Sequence, residues 1–356
     1  AAPQVRILPL GLPDLPFHLR LDALSGFFLA LLGAASAGIS IYAAGYFRPS
    51  EGGQPGLHCL LYHGFLTSIV FIFLADDGYA FMVAWESMAL SSFFLVASEH
   101  RHAEIRRAAY LYLIIAHMGA LAILLCFGVL AGSAGDYTFD AMRSFPTLGI
   151  WPTIAFLLAV FGFGAKAGLL PLHIWLPEAH PAAPSPVSAM MSGVMLKTAI
   201  YGLMRVSFDL LHANTWWWGA LLLVAGLATA LFGVIYASIQ TDMKRLLAYS
   251  SINNVGFMLI GLAAGTQQGV EGVLTYLLVY VVTTLGAFLV VLQLRDADGN
   301  QIESIPALAG LSQRRPGLAA AMAVFMFSLA GIPPLFGFWP KYLVFEAAVN
   351  ADLVPL

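Results

Sequence analysis

Residues 215–240, TWWWGALLLVAGLATALFGVIYASIQ, run for 26 positions without one charged side chain. A helix crosses the hydrocarbon core of a bilayer with about 20 mainly apolar residues, so this stretch is long enough to span. Two further stretches, 23–47 and 273–294, are equally free of charge. Extending the same criterion along the chain gives ten candidate segments: 22–47, 57–75, 78–98, 107–131, 150–170, 187–208, 215–240, 246–265, 272–294 and 317–345. A membrane barrel alternates apolar and polar residues, and these runs do not alternate. Lipid offers no other way to satisfy the backbone than helices or closed barrels. The sequence therefore predicts an all-α integral membrane protein of about ten transmembrane helices.

Composition agrees. Of 356 residues, 60% are hydrophobic and 10% charged, with mean hydropathy +0.84. A soluble chain carries about 25% charged residues, so too few are present here to clothe a water-facing surface. The formal net charge of −3 supplies no basic excess for a nucleic-acid partner. Cys59 and Cys126 lie in separate apolar stretches with no CxxC or Cys/His spacing, which fits neither a disulfide framework nor a metal site. No nucleotide-, metal- or haem-binding motif is present, so no cofactor is expected in this chain.

The first 20 residues hold Pro3, Pro9, Pro13 and Pro16 and lack both an initiator Met and a basic region followed by an apolar stretch. They are expected to form an extended external arm, or a truncated start, and not a signal peptide. The transmembrane domain then covers 21–349. Basic residues set its orientation. Arg48, Arg101, Arg106, Arg107, Lys244, Arg245, Arg295, Arg314 and Arg315 fall on one side, and Arg6, Arg20, Arg143 and Arg205 on the other. That asymmetry places both termini outside, in the periplasm of a bacterial host. Lys244 and Arg245 read as inner-surface anchors, Asp76 and Asp77 as helix N-caps, and Trp216 to Trp218 as part of an aromatic belt.

Three basic residues remain, and all lie inside apolar segments. Lys166 is in GFGAKAGLL, Lys197 in VMLKTAIYG, and Lys341 follows the proline-rich part of the last segment; Glu86 joins them in AWESMAL. A charge at mid-bilayer costs about 2.5–3.5 kcal/mol on insertion scales. A buried Glu–Lys pair, or a lysine snorkelling to the interface, is the structural alternative, and snorkelling suits Lys341 better than Lys197. Unlike charges sunk on separate helices otherwise line an ion path. On that reading Glu86 is expected within direct or one-water reach of Lys166. His173 and His180 follow Lys166, and His117 lies in the fourth segment; a neutral histidine can pass a proton on near physiological pH.

Two segments are interrupted. In GFGAKAGLLPLHIWLPEAHPAAPSP, Pro171 lacks an N–H and crowds the carbonyl of Ala167. SLAGIPPLFGFWPK repeats the device with Pro333, Pro334 and Pro340 ahead of Lys341. Interrupted helices at corresponding places in two halves point to inverted-repeat transporters. The offset of five segments suggests a first five-helix repeat at about 57–208 and a second, incomplete one at about 215–349.

The most specific motifs are Trp85–Glu86, the block GAKAGLLPLHIWLPEAHPAAPSPVSAMMSGVMLKTAIYG from Gly164 to Gly202, and DMKRLLAYSSINNVG from Asp242 to Gly256. On these, the chain resembles the antiporter-like membrane subunits of respiratory complex I, of hydrogenase-4 type complexes and of multisubunit cation/proton antiporters, over roughly 22–349. The front half, through Tyr249, is closer to hydrogenase-4 component B. The stretch LAGLSQRRPGLAAAMAVFMFSLAGIPPLFGF is closer to subunit N of NADH-quinone oxidoreductase. The resemblance implies a channel-helix glutamate at Glu86, a broken-helix lysine at Lys166, a central-axis lysine at Lys197 and a second broken-helix lysine at Lys341, with His173 added to the relay from the residues themselves. It implies a proton-translocating subunit of a redox-driven complex, with no redox chemistry of its own. The alternative is a subunit of a secondary cation/proton antiporter without a redox partner. Partners would be other membrane subunits and the lipid bilayer, with no nucleic acid, in a bacterial inner membrane. Two departures set further expectations. The ninth segment, TYLLVYVVTTLGAFLVVLQL, lacks the His and Lys that many members carry there, so a hydrated cavity is expected beside Tyr280, Thr283 and Thr284. Because no segment follows the tenth, the face around Pro333, Pro334 and Lys341 is expected to lie open or against a partner helix.

Overall fold

The computed structural model describes residues 2–46, 55–144, 148–211, 215–295 and 301–353; Arg48 lies outside them. Nine helices among these residues are long and apolar enough to cross a membrane, and they match nine of the ten segments read from sequence. The tenth is two shorter helices, Pro316–Ala330 and Phe338–Asn350, parted where its glycines and prolines cluster.

The chain packs as two compact units. The first comprises Ala1–Ser36, Phe47–Ala167 and Met195–Asn214; the second comprises Ala37–Tyr46, Gly168–Val194 and Thr215–Leu356. These do not follow the two repeats: the stretch after the first break, 168–194, belongs with the later helices.

In the first unit the N-terminal residues are not an extended arm. They form an antiparallel hairpin of β1 (Gln4–Leu12) and β2 (Leu15–Leu21), with Gln4 opposite Leu21 and an irregularity between Leu8 and Gly11. Pro9 sits at that irregularity and Pro16 near the turn, places where a missing N–H does not interrupt a ladder. A backbone bridge from Leu19 to Ala75 ties β2 to the end of a neighbouring helix. The helices of this unit are α1 (Ala23–Tyr46, up to Ser36), α2 (Pro55–Leu74), α3 (Gly78–Val96), α4 (Ala103–Ala134), the short α5 (Phe139–Ser144) and α6 (Trp151–Ala167). Asp77 caps α3 by accepting the Ala80 N–H, as its position before an apolar run implies. Burial holds the Asp77 carboxyl above the usual carboxylate range, against the backbone N–H groups of Ala80 and His18 that favour its charged form.

Helices α4 and α6 cross at Gly119 and Gly162. A Cβ on Gly162 would stand 2.7 Å from the Gly119 carbonyl oxygen, and one on Gly119 would stand 2.9 Å from that of Gly162. Small residues let membrane helices approach this closely, where van der Waals packing replaces the hydrophobic effect as the driving force. Trp85 lies in the core beside them, stacked on Phe81 at 5.6 Å and edge-on to Phe163 at 5.4 Å.

After Ala37–Tyr46 at the end of α1, the second unit continues with the short helices α7 (Trp175–Ala182) and α8 (Ser185–Met190). A π-helical turn at Met191–Met195 then leads into α9 (Leu196–Met204), which belongs to the first unit. The second unit resumes with α10 (Trp216–Ser238), α11 (Met243–Ala263), α12 (Gln267–Gln293), the single turn α13 (Leu311–Arg314), α14 (Pro316–Ala330) and α15 (Phe338–Asn350). Short α7 packs on α11, and α8 on α12.

Both interruptions share a plan. Each helix ends on a glycine with positive φ, Gly168 at +79° and Gly331 at +83°, three residues before a proline in a cis peptide. Only glycine adopts this left-handed conformation without steric cost. After the first break the Leu170 N–H finds the Thr229 hydroxyl of α10 at 3.2 Å.

The Gly119–Gly162 crossing predicts that Gly162→Ala destabilises the purified protein by about 1–3 kcal/mol, the cost of overpacking. Gly128→Ala, where an added Cβ meets nothing within 4 Å, should leave Tm unchanged. Equal melting of the two variants would contradict the close approach.

Candidate functional site

Lys166 is the penultimate residue of α6, just before the break, and it is 2% exposed. An ammonium there needs acceptors from protein. Its Nζ donates to the Tyr112 hydroxyl on α4 at 2.6 Å. The same hydroxyl pairs with Ser92 Oγ on α3 at 2.5 Å and reaches the Met195 sulfur at 3.8 Å. Glu86, on α3, lies 3.5 Å from His117 Nδ1 on α4, with side chains 36% and 46% exposed. Lys197 is 1% exposed on α9, which packs against α6.

The first unit thus gathers Glu86, Lys166 and Lys197 on packed helices, but it does not pair Glu86 directly with Lys166. The reason is helical phase. Trp85, Met88, Ala89 and Ser92 form the buried face of α3, while Val83, Ser87 and Leu90 are turned away from it, and Glu86 stands on the rim between them. From that rim it meets His117, and the buried lysine is met by Tyr112 instead. Tyr112 and Ser92 were silent in the sequence, because a tyrosine or serine within an apolar helix carries no signal of its partner.

His173 and Lys341 belong to the second unit. His173 sits in a 3₁₀ turn, Leu172–Ile174, 8% exposed and edge-on to Phe232 at 4.5 Å. Lys341 is not simply open. Its Nζ donates to the carbonyls of Leu329 and Ala330 at 2.9 and 3.0 Å and stands 4.7 Å from the Phe257 ring centre. The lysine thereby satisfies the carbonyls that the second break frees, while Phe336 and Trp339 nearby in the chain are exposed. Beside Tyr280, where a hydrated cavity was expected, stand the hydroxyls of Ser192 and Ser251, and Thr283 and Thr284 are buried.

Two basic residues read as surface groups are buried in the fold. Arg205, in the π-helical end Arg205–Leu210 of the sixth span, is 6% exposed. It forks onto Asp22 at 2.7 and 2.9 Å and reaches Asp209 at 3.0 Å. Arg143 holds Asp209 at 2.9 Å and Asp76 at 2.8 Å. This network ties the hairpin end of the first unit together. Lys244 is 3% exposed, paired with Glu303 at 2.6 Å. Neither was visible from spacing, because each has a partner distant in sequence. Among the described residues no group of three or more His, Cys, Asp and Glu side chains could hold a metal ion.

The fold and this geometry define a polytopic helical membrane protein with lysines buried beside interrupted helices. The profile of the NADH:quinone oxidoreductase/Mrp antiporter transmembrane family matches residues 75–356, and the chain belongs to that family. It is 46% identical over 342 residues to NADH-quinone oxidoreductase subunit N of Sphingopyxis alaskensis, covering 95% of this chain and 71% of that one. It is 38% identical over 356 residues to hydrogenase-4 component B of Escherichia coli, covering 94% and 52%. Among solved structures, a chain of the Mrp complex from Dietzia superposes with TM-score 0.87 at 26% identity, covering 98% of this chain and 38% of that one. A chain of respiratory complex I from Thermus thermophilus superposes with TM-score 0.83 at 25% identity, covering 98% and 73%. The resemblance to both subunit N and hydrogenase-4 component B read from the motifs is shown, and the chain is an antiporter-like subunit of this kind.

Arg205→Met leaves Asp22 and Asp209 short of their shared cation. Breaking a buried ion pair by removing one partner costs about 3–5 kcal/mol. The variant is therefore expected to melt well below the parent in detergent. An unchanged Tm would show that the network contributes nothing to the hairpin end.

Proposed function

We propose that this chain translocates protons within a redox-driven membrane complex of the NADH-quinone oxidoreductase or membrane-bound hydrogenase type, in a bacterial inner membrane with both termini outside. The observation that carries the reading is Lys166: a buried lysine at the end of an interrupted helix, donating to the Tyr112 hydroxyl of α4, the helix that also carries His117 of the Glu86–His117 pair. A lysine so placed can exchange a proton without a fixed counter-ion to pin its charge. Glu86 and His117 supply a partly exposed acid–base pair at the edge of the same helices, and Lys197 continues the set on α9. Lys341 and His173 are proposed as relay groups within the second unit. Other membrane subunits would supply the redox chemistry.

The likeness to the Mrp chain from Dietzia supports a second reading, a subunit of a secondary cation/proton antiporter that works without a redox partner. Copurification separates them: quinone-reductase or hydrogenase subunits accompany the chain on the first reading and do not on the second.

Glu86→Gln and Lys166→Ala are each expected to lower the protons moved per electron in the assembled native complex, with electron transfer uncoupled or slowed. Wild-type pumping by both variants would leave these residues a structural role only.

A further inference from the structure

Between Glu271 and Arg295 the chain has no His, Lys, Asp or Glu, and α11 has none after Arg245. A proton path toward Lys341 through these helices therefore has no conventional stepping stone. The second unit nevertheless places a closed ring of hydroxyls there. Ser192, in the π-helical turn, lies 2.7 Å from Ser251 Oγ on α11 and 3.0 Å from Tyr280 Oη on α12. Tyr280 donates to Ser251 at 2.8 Å, closing the ring, and Ser251 also reaches the Leu247 carbonyl at 2.8 Å.

One turn further along both helices, Tyr276 donates to Asn254 Oδ1 at 2.7 Å. The Tyr276 ring is stacked with Phe257 at 6.4 Å, and Lys341 Nζ stands 4.7 Å from the same Phe257 ring. The polar groups thus form a ladder up the α11–α12 seam, Ser192, Tyr280 and Ser251 first, then Tyr276 and Asn254, and Lys341 stands over the Phe257 ring on which Tyr276 stacks. Ser192 and Ser251 are fully buried, and Asn254, Tyr276 and Tyr280 nearly so. Burying this many polar groups is costly unless each finds a partner, and these find one another.

A hydroxyl is donor and acceptor at once, so a ring of three can be wired in either sense. We propose that the Ser192–Tyr280–Ser251 ring, with the Tyr276–Asn254 step beyond it, conducts protons along α11 and α12 toward Lys341 in place of the missing titratable side chains; this rests on the proton-translocating reading above. An arriving proton binds a lone pair of the Ser192 oxygen as the proton already there passes to Tyr280, the Tyr280 proton passes to Ser251, and the proton Ser251 first held leaves toward the Tyr276–Asn254 step. Each oxygen ends with one proton, every O–H bond formed being matched by one broken, and no electron moves. The rise of one helical turn, about 5.4 Å, separates the ring from the next step, a span that one bridging water covers.

The test uses the assembled native complex in proteoliposomes, with Tyr280→Phe, Ser192→Ala and Ser251→Ala compared against Lys166→Ala. Tyr280→Phe keeps the ring packing and removes one oxygen. The expected result is loss of this subunit's protons per electron in all three hydroxyl variants, with the complex assembled, and retention of pumping in Ser192→Thr, which restores the hydroxyl. Wild-type stoichiometry in Tyr280→Phe, with Lys166→Ala impaired, would overturn the hydroxyl path and leave the proton-translocating reading intact. Wild-type stoichiometry in Lys166→Ala as well would overturn that reading too. If Tyr280→Phe does not assemble, the serine variants decide, and hydroxyls needed only for assembly would equally overturn the proposal.

Discussion

Hydrocarbon gives an ammonium group nothing to bond to. Everything distinctive in this chain follows from keeping lysines in such a medium. An uncompensated ion in an apolar interior carries a penalty of several kcal/mol after relaxation, so each lysine must find protein groups or a route to water. Lys166 finds the Tyr112 hydroxyl, Lys341 finds two backbone carbonyls, and Lys244 finds Glu303. These solutions differ in consequence. A carboxylate at 2.6 Å ties Lys244 to a loop residue 59 positions away. Lys166 is held by a neutral hydroxyl, the feature on which the proposed transport role rests.

The interrupted helices serve the same constraint. Ending a helix inside a bilayer frees carbonyls and N–H groups that lipid cannot satisfy, so each break needs local partners. The first is served by Thr229 of α10, the second by Lys341 itself. In the second case the proposed relay side chain and the backbone repair are one interaction. Around the breaks, close glycine crossings such as Gly119–Gly162 hold the helices at distances where short hydrogen bonds like Lys166–Tyr112 can form.

How much of this was legible in the sequence depends on whether a feature is local. Helix count, the two breaks and the misplaced charges at Glu86, Lys166, Lys197 and Lys341 are local: each is visible as a departure from an apolar run. Partnerships are not local. Tyr112 lies 54 residues from Lys166, and Arg205 lies 183 from Asp22, so neither could be paired by spacing. Glu86 and Lys166 looked like a pair because they were opposite in sign, but helical phase put Glu86 on a rim facing His117. The N-terminal hairpin was hidden by its prolines, which read as an extended arm until their places at an irregularity and a turn were seen. The hydroxyls beside Tyr280 were hidden for another reason, since serine and tyrosine in an apolar helix are usually no more than packing.

The proposed transport requires the buried lysines to exchange protons as the complex turns over. Lys197 tests this most directly, because it is buried on α9 in the core of the first unit. The deciding measurement is the number of protons translocated per electron by the native complex in proteoliposomes when Lys197 is replaced by methionine, which keeps most of the length of the side chain and removes its proton. A lower stoichiometry in a fully assembled complex is the predicted result; an unchanged stoichiometry would contradict proton exchange at the buried lysines.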